Sequence, residues 1–312
     1  SGGARLAMAV NNKISILPKS FPEYEAAVTN AGGRLSPFDQ SVGAVIWTDY
    51  SKPAELNELL KSNPQVEWVQ LPFAGVDAFS EVIKHPTRFT SAKGAYRKPV
   101  AEHALLLMMA LGRVIPERVR ATSWGKNFAV SLYDSRILIV GGGGITEELL
   151  LLLEPFKTHV SVIRNRDIPL PGASSTRTFD DLDEEIAKAD FVVLAAALTE
   201  ETRGLFNASR LNLMKPTAYL VNIARGPMVV TEDLITALNA GAIAGAALDV
   251  TDPEPLPDGH PLWSAKNILI TPHTADTRVQ VIPLFSERVD RNVKAYLGLG
   301  EWIGLVDPSR GY

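Results

Sequence analysis

The sequence predicts an α/β protein with two doubly wound domains, each a parallel sheet covered by helices. Short apolar runs alternate with amphipathic stretches along most of the chain, which is typical of strand–helix–strand units. The chain has 312 residues, more than a single hydrophobic core usually organises, and 46% of them are hydrophobic. Two well-packed domains are therefore expected.

The first hundred residues contain short apolar runs that predict strands, with helical stretches between them. These strands are predicted at residues 14–17, 44–47, 68–71 and 89–92. From Val100 to about Arg120 the apolar residues recur at helical spacing, which predicts one long helix leading into the second domain.

The second domain is predicted to hold a six-stranded doubly wound sheet. Its strands are expected at residues 137–140, 160–163, 191–194, 219–221, 245–248 and 268–270. A last helical stretch, at about 278–297, lies beyond these strands and is expected to return the chain to the first domain. We therefore predict a discontinuous first domain of residues 1–99 and 278–312 and a second domain of residues 100–277.

Composition and charge disfavour several classes of function. The formal net charge is −4 and the sequence has no long basic run, so binding to nucleic acid or to an anionic membrane is not expected. No apolar stretch reaches the roughly 18 residues that span a bilayer, so a cytoplasmic protein is expected. The chain has no cysteine, and its five histidines show no paired metal-ligand spacing, so we expect neither a metal site nor a thiolate nucleophile.

One glycine-rich turn predicts a dinucleotide-binding site. Residues 136–144 read RILIVGGGG, an apolar strand that enters glycines, and residues 145–156 then continue as a helix. Gly141 permits the tight turn, and Gly143 lets the backbone approach a pyrophosphate at the positive end of the helix, where Gly144 and Ile145 follow. The alternative is an ordinary strand-to-helix turn. The context favours a Rossmann domain, although Thr146 replaces the usual third glycine and predicts looser helix–strand packing.

The end of the next strand indicates which cofactor this domain prefers. An NAD-specific fold places an acid about 20 residues after the glycines. Here the chain has Arg164, Asn165 and Arg166, which suit a 2′-phosphate better than a free ribose diol. We predict NADP as the preferred cofactor, with NAD possible. The alternative is a pair of solvated surface arginines.

Three later segments follow in a fixed order: VNIARGPMVV at 221–230, ALDVTDPEPLP at 247–257 and ILITPHTA at 268–275. Further characteristic segments are WVQLPFAGVD at 68–77, KPVAEHALLLMMALGR at 98–113 and LTEETRGLFN at 198–207. With these segments and the glycine turn, the chain resembles the D-isomer-specific 2-hydroxyacid dehydrogenase family over nearly its whole length.

The resemblance implies a Rossmann dinucleotide-binding domain, a smaller flavodoxin-like substrate domain, and a homodimer built around the long helices. It implies NAD(P)H-dependent reduction of a small 2-oxo acid to the 2-hydroxy acid. Arg225 would bind the substrate carboxylate, His273 would be the general acid/base, and Glu254 would orient His273 and favour its charged form. Asp249 would lie near the nicotinamide amide. Backbone amides that hold the carboxylate would come from Ala74, Gly75 and Val76.

The chemistry agrees with these roles. Reducing a 2-oxo acid requires a hydride, a proton for the nascent alkoxide and a cation for the carboxylate. A protonated histidine supplies the proton near neutral pH, and the planar fork of an arginine grips a carboxylate bidentately. Two alternatives stay open. One is a formate dehydrogenase, in which glutamine stands where this chain has Glu254, and the other is a cofactor-sensing scaffold like the corepressors of this fold.

The remaining expectations concern the substrate pocket. Trp47, Phe73 and Tyr96 are expected to narrow it and Arg97 to favour a polar tail, which together predict a substrate of the glyoxylate or hydroxypyruvate type. Asp276 stands where the family commonly has glycine, and a charged wall there is expected to alter cofactor closure or substrate size. We interpret His103, within the long helix, as structural.

Overall fold

The structure, a computed structural model, describes residues 10–311. Residues 1–9 and 312, which belong to the predicted first domain, lie outside the described residues. The chain divides into two compact units. Unit 1 comprises the residues up to Tyr96 and those from Thr277 onward, and unit 2 comprises Arg97–Asp276. Every strand pair in both sheets is parallel, which confirms the predicted α/β fold class.

Unit 1 is built on a five-stranded sheet with the order β2-β1-β3-β4-β5. Its strands are β1 (Lys13–Leu17), β2 (Arg34–Leu35), β3 (Ala44–Trp47), β4 (Trp68–Gln70) and β5 (Arg88–Thr90). Helices α1 (Pro22–Asn30) and α2 (Pro53–Ser62) begin at prolines, whose fixed φ suits the first helical turn. The sequence did not predict β2, a two-residue edge strand whose side chains are exposed.

Unit 2 is built on a seven-stranded sheet with the order β12-β11-β10-β9-β6-β7-β8. Its strands are β6 (Arg136–Val140), β7 (His159–Ile163), β8 (Ser175–Arg177), β9 (Phe191–Leu194), β10 (Tyr219–Asn222), β11 (Gly245–Leu248) and β12 (Ile268–Ile270). The prediction of six strands was therefore wrong by one. The missed strand is β8, a polar edge strand that is partly exposed and so lacks the apolar run of a buried strand.

The helices of unit 2 cover both faces of this sheet. They are α3 (Arg97–Gly112), α4 (Ile115–Arg120), α5 (Gly144–Leu153), α6 (Leu182–Lys188), α7 (Ala208–Leu213) and α8 (Thr231–Ala240). The single long helix predicted over residues 100–120 was wrong, because the chain breaks between α3 and α4. Val114 there adopts a left-handed φ of 57°, and Pro116, which has no amide hydrogen to continue a helix, stands in the first turn of α4.

The last helix, α9 (Arg278–Tyr296), returns to unit 1 and packs along α1. Phe285, Val289 and Val293 on α9 are buried with Ile14 and Val28 in one core cluster of that unit. Among residues 10–311, no helix combines the length and the apolar character that crossing a bilayer requires.

The parallel sheet of unit 2 determines where the candidate site lies. Its strands all point the same way, so the loops that leave their carboxyl ends meet at one edge. The glycine turn follows β6, Arg164 follows β7, Arg225 lies beyond β10, Asp249 follows β11 and His273 lies beyond β12. The residues singled out in this unit therefore share one edge of one sheet.

Candidate active site

The glycine turn has the geometry of a pyrophosphate site. Gly141 has a φ of 117°, and a Cβ there would lie 2.6 Å from the backbone of Ala195 and Ala196, so only glycine fits. Gly143 precedes α5, and a Cβ there would meet nothing within 4 Å. Among the described residues, no side chain caps the first turn of α5, which starts at Gly144 and Ile145. Its amide groups can therefore bind an anionic pyrophosphate.

Thr146 adapts this turn to the loss of the third glycine. Its side chain is fully buried, and the hydroxyl donates a hydrogen bond of 2.6 Å to the carbonyl of Gly141. The threonine side chain therefore makes a hydrogen bond to the glycine turn, which a glycine at this position could not make.

Arg164 lies beside the glycine turn, whereas the two residues after it are exposed. A Cβ at Gly142 would be 2.9 Å from Nε of Arg164, so the half-buried arginine side chain runs across the turn. Its Nη1 makes a long contact of 3.5 Å with the carbonyl of Ile168. Asn165 and Arg166 face solvent. The structure thus brings one of the two predicted arginines to the turn.

The buried Asn222 fixes the backbone conformation at Arg225 through two hydrogen bonds. The Asn222 side chain accepts from the amide of Ala224 at 3.0 Å and donates to the carbonyl of Arg225 at 2.9 Å. Gly226 must follow, because a Cβ there would lie 2.0 Å from the carbonyl oxygen of Thr251. One Arg225 N–H donates to the carbonyl of Ala224 at 2.7 Å. A guanidinium has five donors, so this exposed arginine can still grip a carboxylate bidentately.

His273 and Glu254 form a hydrogen-bonded pair. Nδ1 of His273 lies 3.0 Å from Oε2 of Glu254, and the two side chains are 46% and 41% exposed. The other carboxylate oxygen accepts from the amide of Thr251 at 3.3 Å. With Nδ1 directed at the carboxylate, Nε2 is the ring nitrogen that can exchange a proton with a substrate.

Asp249 is buried at the root of the loop that carries the histidine, with its side chain 1% exposed. Its Oδ1 accepts from the Thr271 hydroxyl at 2.6 Å and from the amide of Thr274 at 2.8 Å, and Oδ2 accepts from the amide of Ala275 at 3.2 Å. Nε2 of His103 lies 3.4 Å from Oδ1. Burial raises the pKa of Asp249, but the nearby His103 and the hydrogen bonds from Thr271 and Thr274 outweigh it and lower the pKa to about 2.

Asp276 adds a third carboxyl group to this edge of the sheet. Burial raises its pKa above the usual value, and the charge of Asp249 acts in the same direction. The positive charges of His273 and Arg225 oppose this shift. The carboxyl group therefore lies within electrostatic range of both residues.

The predicted carboxylate-binding amides belong to the loop that follows β4 in unit 1. Ala74 is exposed, Gly75 is partly exposed, and the buried Val76 accepts from the amide of Phe79 at 2.8 Å through its carbonyl. This loop belongs to unit 1.

Two of the three aromatic residues expected to narrow the substrate pocket are buried within unit 1. Trp47 is 2% exposed, and its indole N–H donates to the carbonyl of Asp49. Tyr96 is 5% exposed, and its hydroxyl donates to the carbonyl of Pro72. Phe73, in contrast, is 39% exposed.

Arg97, which was expected to favour a polar substrate tail, pairs with two glutamates of its own unit. Its guanidinium forms ion pairs with Glu147 at 3.2 Å and Glu148 at 3.7 Å on α5.

In the described part of the chain, no group of three or more histidine, aspartate or glutamate side chains is arranged to hold a metal ion.

Sequence comparisons point to one family. Residues 105–275 match the family model described as "D-isomer specific 2-hydroxyacid dehydrogenase, NAD binding domain". An uncharacterized protein of Corynebacterium melassecola is 38% identical over 93% of this chain and 97% of its own length. A glyoxylate reductase of Thermofilum pendens is 34% identical over 77% of this chain and 74% of its own length.

A solved structure extends the likeness to the whole fold. The D-isomer specific 2-hydroxyacid dehydrogenase of Xanthobacter autotrophicus Py2, crystallised with NADPH and MES, superposes with a TM-score of 0.82 at 27% sequence identity. The likeness covers 96% of this chain and 99% of that one.

Proposed function

The chain belongs to the D-isomer-specific 2-hydroxyacid dehydrogenase family, and from that premise we propose that it reduces a small 2-oxo acid of the glyoxylate or hydroxypyruvate type to the 2-hydroxy acid. Members of this family are nicotinamide-dependent oxidoreductases. The observation that carries the proposal is the 3.0 Å pair of His273 and Glu254, at the same sheet edge as Arg225 and the glycine turn.

Each residue has one chemical task in this proposal. Arg225 binds the substrate carboxylate through its guanidinium fork. His273 holds a proton at Nε2 and gives it to the oxygen of the carbonyl as that oxygen gains charge. Glu254 accepts from Nδ1, which fixes the orientation of the ring. Backbone amides of Ala74, Gly75 and Val76 are proposed as further ligands of the carboxylate.

The cofactor supplies the hydride when it is bound, and we propose NADPH as the preferred form, with NADH as the weaker alternative. The side chain of Arg164 crosses the glycine turn, which supports a contact with the 2′-phosphate. The related enzyme of Xanthobacter autotrophicus Py2 was crystallised with NADPH, which also supports the proposal. Asp249 is proposed to lie near the nicotinamide end of the cofactor.

The proposal includes a cytoplasmic homodimer. Unit 2 exposes large apolar side chains on α3 and in the segment after α4, and a second copy of the chain would cover them. They are Leu106 (57% exposed), Met109 (40%), Trp124 (91%) and Phe128 (62%).

Replacing the proton donor tests the proposed function. We expect His273→Ala to lower kcat by about 10²- to 10⁴-fold, because a general acid typically contributes that much. The Kd of NADPH, measured by fluorescence titration, should stay within about twofold, because the histidine lies on a different loop from the glycine turn. His159→Ala is the matched control, since His159 is an exposed residue at the amino end of β7.

Steady consumption of NADPH with glyoxylate or hydroxypyruvate distinguishes an enzyme from a cofactor-sensing scaffold. A His273→Ala variant that keeps wild-type kcat would contradict the assignment of the proton donor. A wild-type protein that binds NADPH but reduces no 2-oxo acid would contradict the proposed function itself.

A further inference from the structure

We propose that His103 and Thr271 are positioning residues that act through the Asp249 carboxylate to hold the His273 loop in its working conformation. The proposal rests on the proposed function, because it explains how the proton donor is held. It gives His103, interpreted from the sequence as structural, a part in the reaction.

The loop needs to be held because its backbone is unusual. His273 has a φ of 53°, in the left-handed region that costs an ordinary residue about 1–2 kcal/mol. Three successive amides of the loop bind to Asp249. The amide of His273 donates to its carbonyl at 2.9 Å, and those of Thr274 and Ala275 donate to its two carboxylate oxygens. One residue at the end of β11 therefore fixes the backbone on which the imidazole stands.

The direction of the hydrogen bonds behind Asp249 follows from the number of hydrogens. The Thr271 hydroxyl has one hydrogen, and its distance of 2.6 Å from Oδ1 of Asp249 assigns that hydrogen to the carboxylate. Nε2 of His103 lies 3.0 Å from the same hydroxyl oxygen and must then donate to it. His103 thus donates to Thr271, Thr271 donates to Asp249, and Asp249 accepts from the loop.

Most acceptor sites of the Asp249 carboxylate are used by donors from the protein itself. Two carboxylate oxygens offer about four acceptor sites, and three of these sites take the Thr271 hydroxyl and the amides of Thr274 and Ala275. The site is also closed, since the side chains of Asp249 and His103 are 1% and 13% exposed. A buried carboxylate that takes three donors from its own protein is well suited to holding a loop.

The hydroxyl at position 271 provides a matched pair of variants. Thr271→Val keeps the shape of the side chain but removes the donor, and we expect kcat to fall by about 10- to 100-fold, since a displacement of about 1 Å can cost that much. The KM of the 2-oxo acid and the Kd of NADPH should change by less than about threefold. Thr271→Ser restores the hydroxyl and should recover kcat to within about threefold of wild type.

A second pair tests the histidine independently, which keeps the proposal testable if the valine variant fails to fold. His103→Leu removes the donor and should lower kcat, whereas His103→Gln retains an N–H donor and should lose less. Combining His103→Leu with Thr271→Val should cost little more than Thr271→Val alone, because both act through one carboxylate.

Amide hydrogen exchange measures how firmly Asp249 holds the amides of the His273 loop, and it requires no turnover. It therefore tests this proposal separately from the proposed function. We expect the amides of Thr274 and Ala275 to lose protection in Thr271→Val and to keep it in Thr271→Ser. Equal kcat and equal protection in wild type and Thr271→Val would overturn the proposal, as would equal losses in the valine and serine variants. An inactive wild type would overturn the proposed function, while the exchange measurements would still decide whether Thr271 and Asp249 hold the loop.

Discussion

Arg164→Asp is expected to reverse the cofactor preference of this enzyme. The Arg164 side chain is half-buried and runs across Gly142, and its guanidinium makes only a long 3.5 Å contact with the carbonyl of Ile168. Little is therefore lost when it turns to a 2′-phosphate. A hydrogen bond to a charged group contributes about 1.5–3 kcal/mol, and partial exposure favours the lower figure, which corresponds to about tenfold in affinity. An aspartate also repels the phosphate and accepts from the ribose hydroxyls of NADH.

The measurement is kcat/KM for NADPH and for NADH, with the 2-oxo acid saturating. We expect the NADPH/NADH ratio to fall by about 10- to 100-fold in Arg164→Asp. Arg166→Asp is the control, because Arg166 faces solvent and an exposed charge contributes at most about 1 kcal/mol. Equal values for the two cofactors in wild type, or an unchanged ratio in Arg164→Asp, would mean that Arg164 does not bind the 2′-phosphate.

Three further predictions concern the carboxyl groups of the site. Glu254→Gln should lower kcat, because a neutral amide accepts more weakly from Nδ1 of His273 and holds the ring less firmly; an unchanged kcat would contradict this role. The pKa of Asp249, lowered to about 2, should stabilise the fold by roughly 2 kcal/mol above about pH 4. This contribution should disappear as the pH falls through 2, so the difference in unfolding free energy between wild type and Asp249→Asn should narrow there. Asp276→Asn removes a negative charge near Arg225, so the KM for anionic 2-oxo acids should fall by a few fold; an unchanged KM would contradict this.

The sequence predicted most of the strands because burial on both faces requires continuous apolar runs. Phe191–Leu194 and Gly245–Leu248 are entirely buried, and the structure places both strands at the predicted residues. The edge strands β2 and β8 have two and three residues, none of them buried, and so leave no such run. The break at Val114 was missed because the apolar periodicity continues on both sides of it, while one left-handed residue suffices to turn the chain.

Part of the candidate site could be predicted from the sequence for a related reason. Its residues follow apolar strands, and the carboxyl ends of parallel strands meet at one edge, so their positions along the chain indicate where they lie. The contact of His103 with Thr271 has no such local signal, because the two residues are 168 positions apart. It arises because α3 packs against β10 and β11. The available hint was helical spacing, which places His103 on the same face of α3 as the buried Val100 and Leu107.

Solvent exposure distinguishes residues that affect only the rate of the reaction from residues that also affect the stability of the fold. The His273–Glu254 pair is nearly half exposed, so solvent screens its attraction and it contributes little to the stability of the fold. Asp249 is buried and hydrogen-bonded, so its loss affects stability as well as rate. Glu254→Gln should therefore slow the enzyme at nearly constant Tm, whereas Asp249→Asn should lower kcat and Tm together. A fall in Tm for Glu254→Gln as large as that for Asp249→Asn would refute this separation of roles.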